Sequence, residues 1–178
     1  ALSAETDLGV WQRMLGGLGQ LHAIAEPDGR ARLATLIRDL TTTALGILGY
    51  EPSDDEPDLD RELRAALFAA AGGLGADRSI RNRAQEVFEA ENRGEAIEPN
   101  LAAAAVKVVA AIDDPATYDH MVELYRTAET PQAELRYLGA LLQFDDEGLF
   151  ERTLDIITSE VRTQNAPFLL AGAMTHLE

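Results

Sequence analysis

Few groups in this chain could do chemistry, and they are thinly spread. Cysteine is absent, and the three histidines are His22, His120 and His176. A hydrolytic zinc site takes ligands at fixed short spacing, such as two histidines four residues apart on one helix. None of the three has such a partner, so they read as surface or boundary residues. No GxSxG nucleophile elbow and no Walker-type phosphate loop occurs. Carboxylates stand in adjacent pairs at Asp113–Asp114 and Asp145–Asp146. They read as turn and cap residues before they read as a catalytic acid and base. Asp54, Asp55, Glu56 and Asp58 cluster in one acidic segment, but it lacks the glycine and distal glutamate of a calcium hand. Gly16, Gly17 and Gly19 follow no strand, as a dinucleotide fingerprint would require, and read as close helix contacts.

One polar-aromatic grouping remains: Tyr118, Tyr125 and Tyr137 with Arg126 and Arg136. Arginine grips a carboxylate with two parallel hydrogen bonds, so the sharper reading is a groove for peptide carboxylates. The plainer reading is helix-face packing with solvated guanidinium groups. Tyr118 and Tyr125 fall on the second helix of one pair, Arg136 and Tyr137 on the first helix of the next. Alternate helices of a stacked repeat share a surface. Arg136 and Tyr137 are therefore the expected peptide contacts.

The elements that would hold these residues are helices. Leu101, Ala105, Val108 and Ile112 make an apolar stripe at helical spacing, and Asp113-Asp114-Pro115 then turns the chain. Tyr118, Met121, Val122 and Tyr125 make the next stripe. Thr130-Pro131 restarts the chain before Leu135, Leu138 and Leu142, and Asp145-Asp146 turns it again before Phe150, Leu154 and Ile157. Upstream, Leu8, Trp11, Leu15 and Leu18 mark a helix over about 7–25. Glu26-Pro27-Asp28-Gly29 breaks the chain, and a second helix carries Leu33, Leu36, Ile37, Leu40, Ala44 and Leu48 up to a left-handed Gly49. An exposed acidic connection over 51–58 leads to a third helix with Leu59, Leu63, Leu67, Ala70 and Leu74. A fourth carries Ile80, Ala84, Val87 and Phe88, and a second loop covers 92–100. The turns at Asp77, Asp114 and Asp146 lie 37 and 32 residues apart, close to the ~40 of HEAT-type repeats. The pattern predicts an all-α chain of about eight or nine antiparallel helices.

Composition agrees. Hydrophobic residues make up 46% of 178, much of it alanine, while aromatics are 6%. The formal charge is −16, with Lys107 the one lysine against fourteen arginines. Nucleic acid and anionic membranes need clustered Lys and Arg, so neither is expected as a partner. No run approaches the ~18 apolar residues of a membrane span, and no signal peptide opens the chain. The chain does not begin with Met, and its last helix, from near Ala166, still runs at Glu178. Both ends are therefore expected to be internal to a longer protein, and the cytoplasm is the expected compartment.

Several segments in order resemble the C-terminal domain of the aminopeptidase N family of zinc exopeptidases, which includes puromycin-sensitive aminopeptidase and the antigen-trimming aminopeptidases of the endoplasmic reticulum. They are Leu48-Gly49-Tyr50-Glu51-Pro52, Leu63-Arg64-Ala65-Ala66-Leu67, and Ala116-Thr117-Tyr118-Asp119 leading to Leu124-Tyr125. Glu129-Thr130-Pro131, Leu138-Gly139-Ala140-Leu141 and Val161-Arg162-Thr163-Gln164-Asn165 follow. No one of them is a catalytic signature; their order and spacing carry the resemblance from Trp11 onward.

The resemblance implies HEAT-like antiparallel helical repeats in a right-handed superhelical solenoid, with 1–178 a single helical-repeat domain cut from a larger C-terminal domain. It implies a non-catalytic part that caps a catalytic domain and encloses the peptide chamber. The partners would be that domain of the same polypeptide and peptide substrates. The family's HExxH motif, distal zinc-binding glutamate and GAMEN loop are absent from these 178 residues. No cofactor is therefore expected in this chain, and zinc is expected in the catalytic domain of the parent. The rival reading is a free-standing HEAT-like scaffold that binds a protein partner. A self-contained enzyme working through carboxylates is the weakest of the three.

Overall fold

The computed structural model describes residues 5–53, 55–161 and 165–173. Among them run nine helices and no strand: α1 Leu8–Ile24, α2 Pro27–Leu48, α3 Asp58–Gly72, α4 Arg78–Asn92, α5 Pro99–Ala110, α6 Pro115–Arg126, α7 Pro131–Leu141, α8 Glu147–Ser159 and α9 Ala166–Ala173. Asp54, the Arg162–Gln164 part of the last quoted segment, His176 and the expected helical run beyond Ala173 lie outside the described residues.

Repeated local devices start the helices. The first backbone N–H groups of a helix lack internal partners, and a short polar side chain just before them supplies one. Asp7 accepts from Val10 N, Asp77 from Ser79 N and Ile80 N, Asp114 from Thr117 N, Thr130 from Ala133 N, and Asp146 from Leu149 N. Proline, with its preset φ and no N–H to strand, opens α2, α6 and α7. The three turn aspartates read from the sequence are thus all caps.

Asp114 illustrates what the cap does. Its carboxylate accepts from Thr117 N and Thr117 Oγ1, both at 2.8 Å. The Thr117 side chain, then its backbone N–H, holds the carboxyl below its ordinary pKa. A depressed pKa adds stability above the unfolded value and loses it as pH falls through the folded one. Asp114→Ala is expected to lower the urea midpoint at neutral pH, and Asp114→Asn to keep most of it. The gap between wild type and the Ala variant should narrow on acidification. Equal midpoints for all three proteins at neutral pH would show that the cap contributes nothing.

The chain forms two compact units, 1–108 and 109–178. In the first, α3 packs against α1, α2 and α4. The buried side chains include Trp11, Ile37, Leu45, Leu63, Leu67, Phe68, Ile80, Val87 and Phe88. Gly72 lets α3 and α5 approach closely: a Cβ there would stand 2.5 Å from Val108 Cγ1. In the second unit α7 packs on α6 and α9 on α8. Leu142, Ile157 and Ala173 form an apolar cluster flanked by Phe150, Leu154 and Leu170.

Most stripe residues are buried as expected, and the exceptions have local reasons. Ile112, 42% exposed, lies beyond the last turn of α5. Leu36 and Leu135 sit to the side of the buried stripes centred on Ile37–Thr41 and Tyr137–Leu141. Leu59, 64% exposed, occupies the first turn of α3. Gly49 has the positive φ expected, 88°, but its ψ of 151° is extended rather than left-handed helical. That region is open essentially to glycine alone.

The acidic connection before α3 differs more from its expected exposed character. Glu56 is folded inward against Arg64, with side chains 9% and 3% exposed. Arg64 Nε donates to Gly49 O at 2.8 Å and Nη2 to Leu48 O at 3.2 Å, while its two terminal nitrogens grip both Glu56 oxygens. One guanidinium thus satisfies the carbonyls at the end of α2 and latches the connection that follows.

Candidate functional site

The polar-aromatic grouping lies in the second unit, and the structure separates its members. Tyr118, Met121, Val122 and Tyr125 form the buried face of α6. Tyr118 is fully buried. Its hydroxyl lies 3.0 Å from Thr153 Oγ1, which donates to Leu149 O at 2.9 Å. Because Thr153 spends its proton on that carbonyl, Tyr118 is the donor in the hydroxyl pair. The Phe144 and Tyr118 rings meet in a T-shaped pair, centroids 5.1 Å apart and planes at 85°, and the Arg152 guanidinium stands 5.0 Å from the Tyr118 ring centroid. Burial pushes the Tyr118 phenol up from its ordinary pKa, the Thr153 hydrogen bond opposing. Burial does the same to Tyr125, with Glu160 and Glu134 reinforcing it. Both are neutral packing tyrosines at physiological pH.

Arg126 binds Glu160 through two nitrogens, Nη2 at 2.6 Å and Nε at 3.1 Å. The hydrogen bond to Arg126 is the largest influence on Glu160 and holds its pKa low. This is the bidentate carboxylate geometry anticipated for a peptide, but the carboxylate is the chain's own. Arg136 is half-buried, its guanidinium 5.2 Å above the ring of Tyr137. Tyr137 is 6% exposed, so it is a platform under Arg136 rather than an open surface.

A regular set of contacts joins α6 to α8, and the sequence reading missed it. Asp113, at φ 63°, turns its carboxylate to Asp145 N at 3.1 Å and Asp146 N at 3.4 Å. Aspartate is among the few residues that tolerate that backbone conformation. Asp119 accepts from Arg152 at 2.6 Å, Tyr118 meets Thr153, and Arg126 meets Glu160. The partners are separated by 32–35 residues in every case. The two helices therefore run parallel, joined at their N-terminal ends, middles and C-terminal ends. The 32-residue spacing of the turn aspartates was the available signal; counted from Tyr118, Asp119 and Arg126 it falls one to three residues short of their partners.

These contacts decide what the carboxylates do. Asp113, Asp114 and Asp146 are engaged with backbone N–H groups at turns, which is the cap reading of the acid pairs. Glu56 is gripped by Arg64. Among the described residues no three His, Cys, Asp or Glu side chains converge as a metal ion requires. A zinc ion does not fit the residues described. Nor is any described helix long and apolar enough to cross a membrane.

Residues 1–178 match the sequence model of the ERAP1-like C-terminal domain. The chain is similar to aminopeptidase M1-A of Oryza sativa subsp. japonica, with 27% identity over 181 residues, covering 97% of this chain and 21% of that protein. Aminopeptidase M1 of Arabidopsis thaliana is 30% identical over 135 residues, 72% of this chain and 15% of that one. The alanine/arginine aminopeptidase of Saccharomyces cerevisiae is 26% identical over 173 residues, 94% of this chain and 20% of its own length. The chain spans about a fifth of the length of these relatives. Two of the three align along nearly the whole chain, and the nine helices among the described residues are the all-α class that the resemblance implied. With a match that runs from the first residue to the last, the chain belongs to the family of ERAP1-like C-terminal domains.

Proposed function

We propose that this chain is a non-catalytic helical domain of a zinc-dependent aminopeptidase, that it caps the catalytic domain, and that it encloses the chamber where peptides are held. The observation that carries this reading is the match over all 178 residues, together with relatives named as aminopeptidases whose length is about five times that covered. In it, 1–178 is one helical-repeat domain, zinc and hydrolysis belong to the catalytic domain of the same polypeptide, and the compartment is the cytoplasm. The stacked guanidinium of Arg136 over Tyr137 is the proposed peptide contact. A ring beneath a guanidinium fixes its plane.

Two measurements test this. The gene should encode HExxH and GAMEN upstream of Ala1. A gene without them would leave a free-standing interaction scaffold as the reading. In the full parent enzyme, Arg136→Ala should raise KM for long peptides several-fold and leave a single-residue chromogenic substrate unchanged. Equal effects on both substrates, or none on either, would remove Arg136 from the chamber.

A further inference from the structure

Tyr125 closes the buried face of α6 and is 7% exposed. A phenol taken that far out of water ordinarily finds a hydrogen-bond partner, as Tyr118 does in Thr153. Among the described residues the Tyr125 hydroxyl has none. Its surroundings are carboxylates. Burial raises its pKa first, and the charges of Glu160 and then Glu134 add to that, so the phenol feels both. Glu160 follows α8 as its C-cap, and Glu134 stands in the first turn of α7. Three helices thus bring one hydroxyl and two carboxylates to the same end of this unit. Arg126 balances Glu160, with one nitrogen on each carboxylate oxygen. Glu134 is half-buried, and among the described residues no cation pairs with it.

We propose that Tyr125, Glu134 and Glu160 bind the side-chain ammonium of a lysine residue in a polypeptide ligand. The count of donors and acceptors selects that cation. An ammonium carries three N–H donors and no acceptor at the end of a thin, flexible stem. The site offers it the Tyr125 oxygen, the Glu134 carboxylate and the lone pairs that Arg126 leaves on Glu160. A guanidinium is a wide planar fork, and Arg126 already holds that position on Glu160. A calcium ion takes six or more oxygens, and no three His, Cys, Asp or Glu side chains converge among the described residues. The side chains of Arg126 and Glu160 are 53% and 37% exposed, so a ligand can approach along their edge. The formal charge of −16 draws cations from solution toward it. The site stands on the side chains of this chain alone, whatever the activity of its parent.

The test places a fluorine beside the hydroxyl in the full polypeptide. Meta-fluorotyrosine replaces Tyr125, and its fluorine resonance is followed as Nα-acetyl-lysine amide is added. The resonance should shift saturably. Nα-acetyl-norleucine amide, which lacks the ammonium, should bind about tenfold more weakly or worse. Glu134→Gln should weaken the lysine probe about fivefold or more, because it removes the unbalanced charge. Meta-fluorophenylalanine at the same position keeps the reporter and removes a hydroxyl that bonds to nothing, so the fold is retained while the lysine probe binds more weakly. Glu123→Gln, at an exposed carboxylate of the same helix, should leave the affinity unchanged. No saturable shift, or equal responses to the lysine and norleucine probes, would overturn the proposal. Equal losses in Glu134→Gln and Glu123→Gln would overturn it too, since the general negative charge of the chain would then be what holds the cation. Norleucine amide, with its ammonium on the α-carbon, binding as tightly as the lysine probe would give the site to peptide N-termini and overturn the lysine assignment.

Discussion

Arg64→Ala should cost about 3–5 kcal/mol of folding stability, the penalty for stranding one partner of a buried ion pair. The substitution leaves the Glu56 carboxylate buried and removes the donors to Leu48 O and Gly49 O. Replacing both charges together, as Arg64→Met with Glu56→Leu, removes the stranded charge and should recover more than half of that loss. The measurement is the urea midpoint of each variant. A single variant within about 0.5 kcal/mol of wild type would show that the latch is solvated and weak. The same pair predicts an acid response. The hydrogen bond from Arg64 is the main cause of the lowered Glu56 pKa, with burial opposing it. The latch is therefore fully made above the ordinary glutamate pKa of about 4.3. Its contribution fades as pH falls through the lower folded value. The double variant should lack this part of the acid sensitivity.

Trp11→Ala should cost about 3–5 kcal/mol by the cavity it leaves. Its distribution matters more than its size. Trp11 is the one fully buried side chain of α1, and its indole N–H donates to Glu5 O at 2.9 Å. Without it the helix loses its one fully buried anchor, and local opening becomes cheaper than global unfolding. Hydrogen exchange should rise across Leu8–Ile24 while Leu63–Ala71 and Ile80–Val87 stay protected. A uniform rise across α1, α3 and α4 would mean that α1 belongs to the same cooperative unit as the core.

The fold was legible because each helix announces itself twice, by an apolar stripe and by a polar start. Asp114-Pro115 and Thr130-Pro131 are short-range signals, settled within one helical turn, and both are caps in the structure. The site was less legible because its partners are remote. Arg126 carries nothing in its neighbourhood that points to Glu160, and Asp119 nothing that points to Arg152. The Arg64–Glu56 pair is near in sequence, but an acidic segment with two prolines gives no sign that one carboxylate turns inward. Periodicity likewise misplaced residues at the ends of stripes, as Ile112 and Leu59 show. A stripe gives direction around a helix axis and not the point where the helix leaves its neighbours.

The carboxylate of Asp113 serves the turn 32 residues ahead rather than its own. A change of length between Asp113 and Asp145 is therefore not neutral even in an exposed loop. Two or three added residues would put the receiving amides out of phase with the aspartate and move Arg152 and Glu160 away from their partners. Duplication of the whole block would behave differently. Each copy would carry an aspartate forward to the next turn and a turn ready to receive one, so every rung would close again. Growth by complete periods is thus compatible with this seam, and drift by single residues is resisted by it.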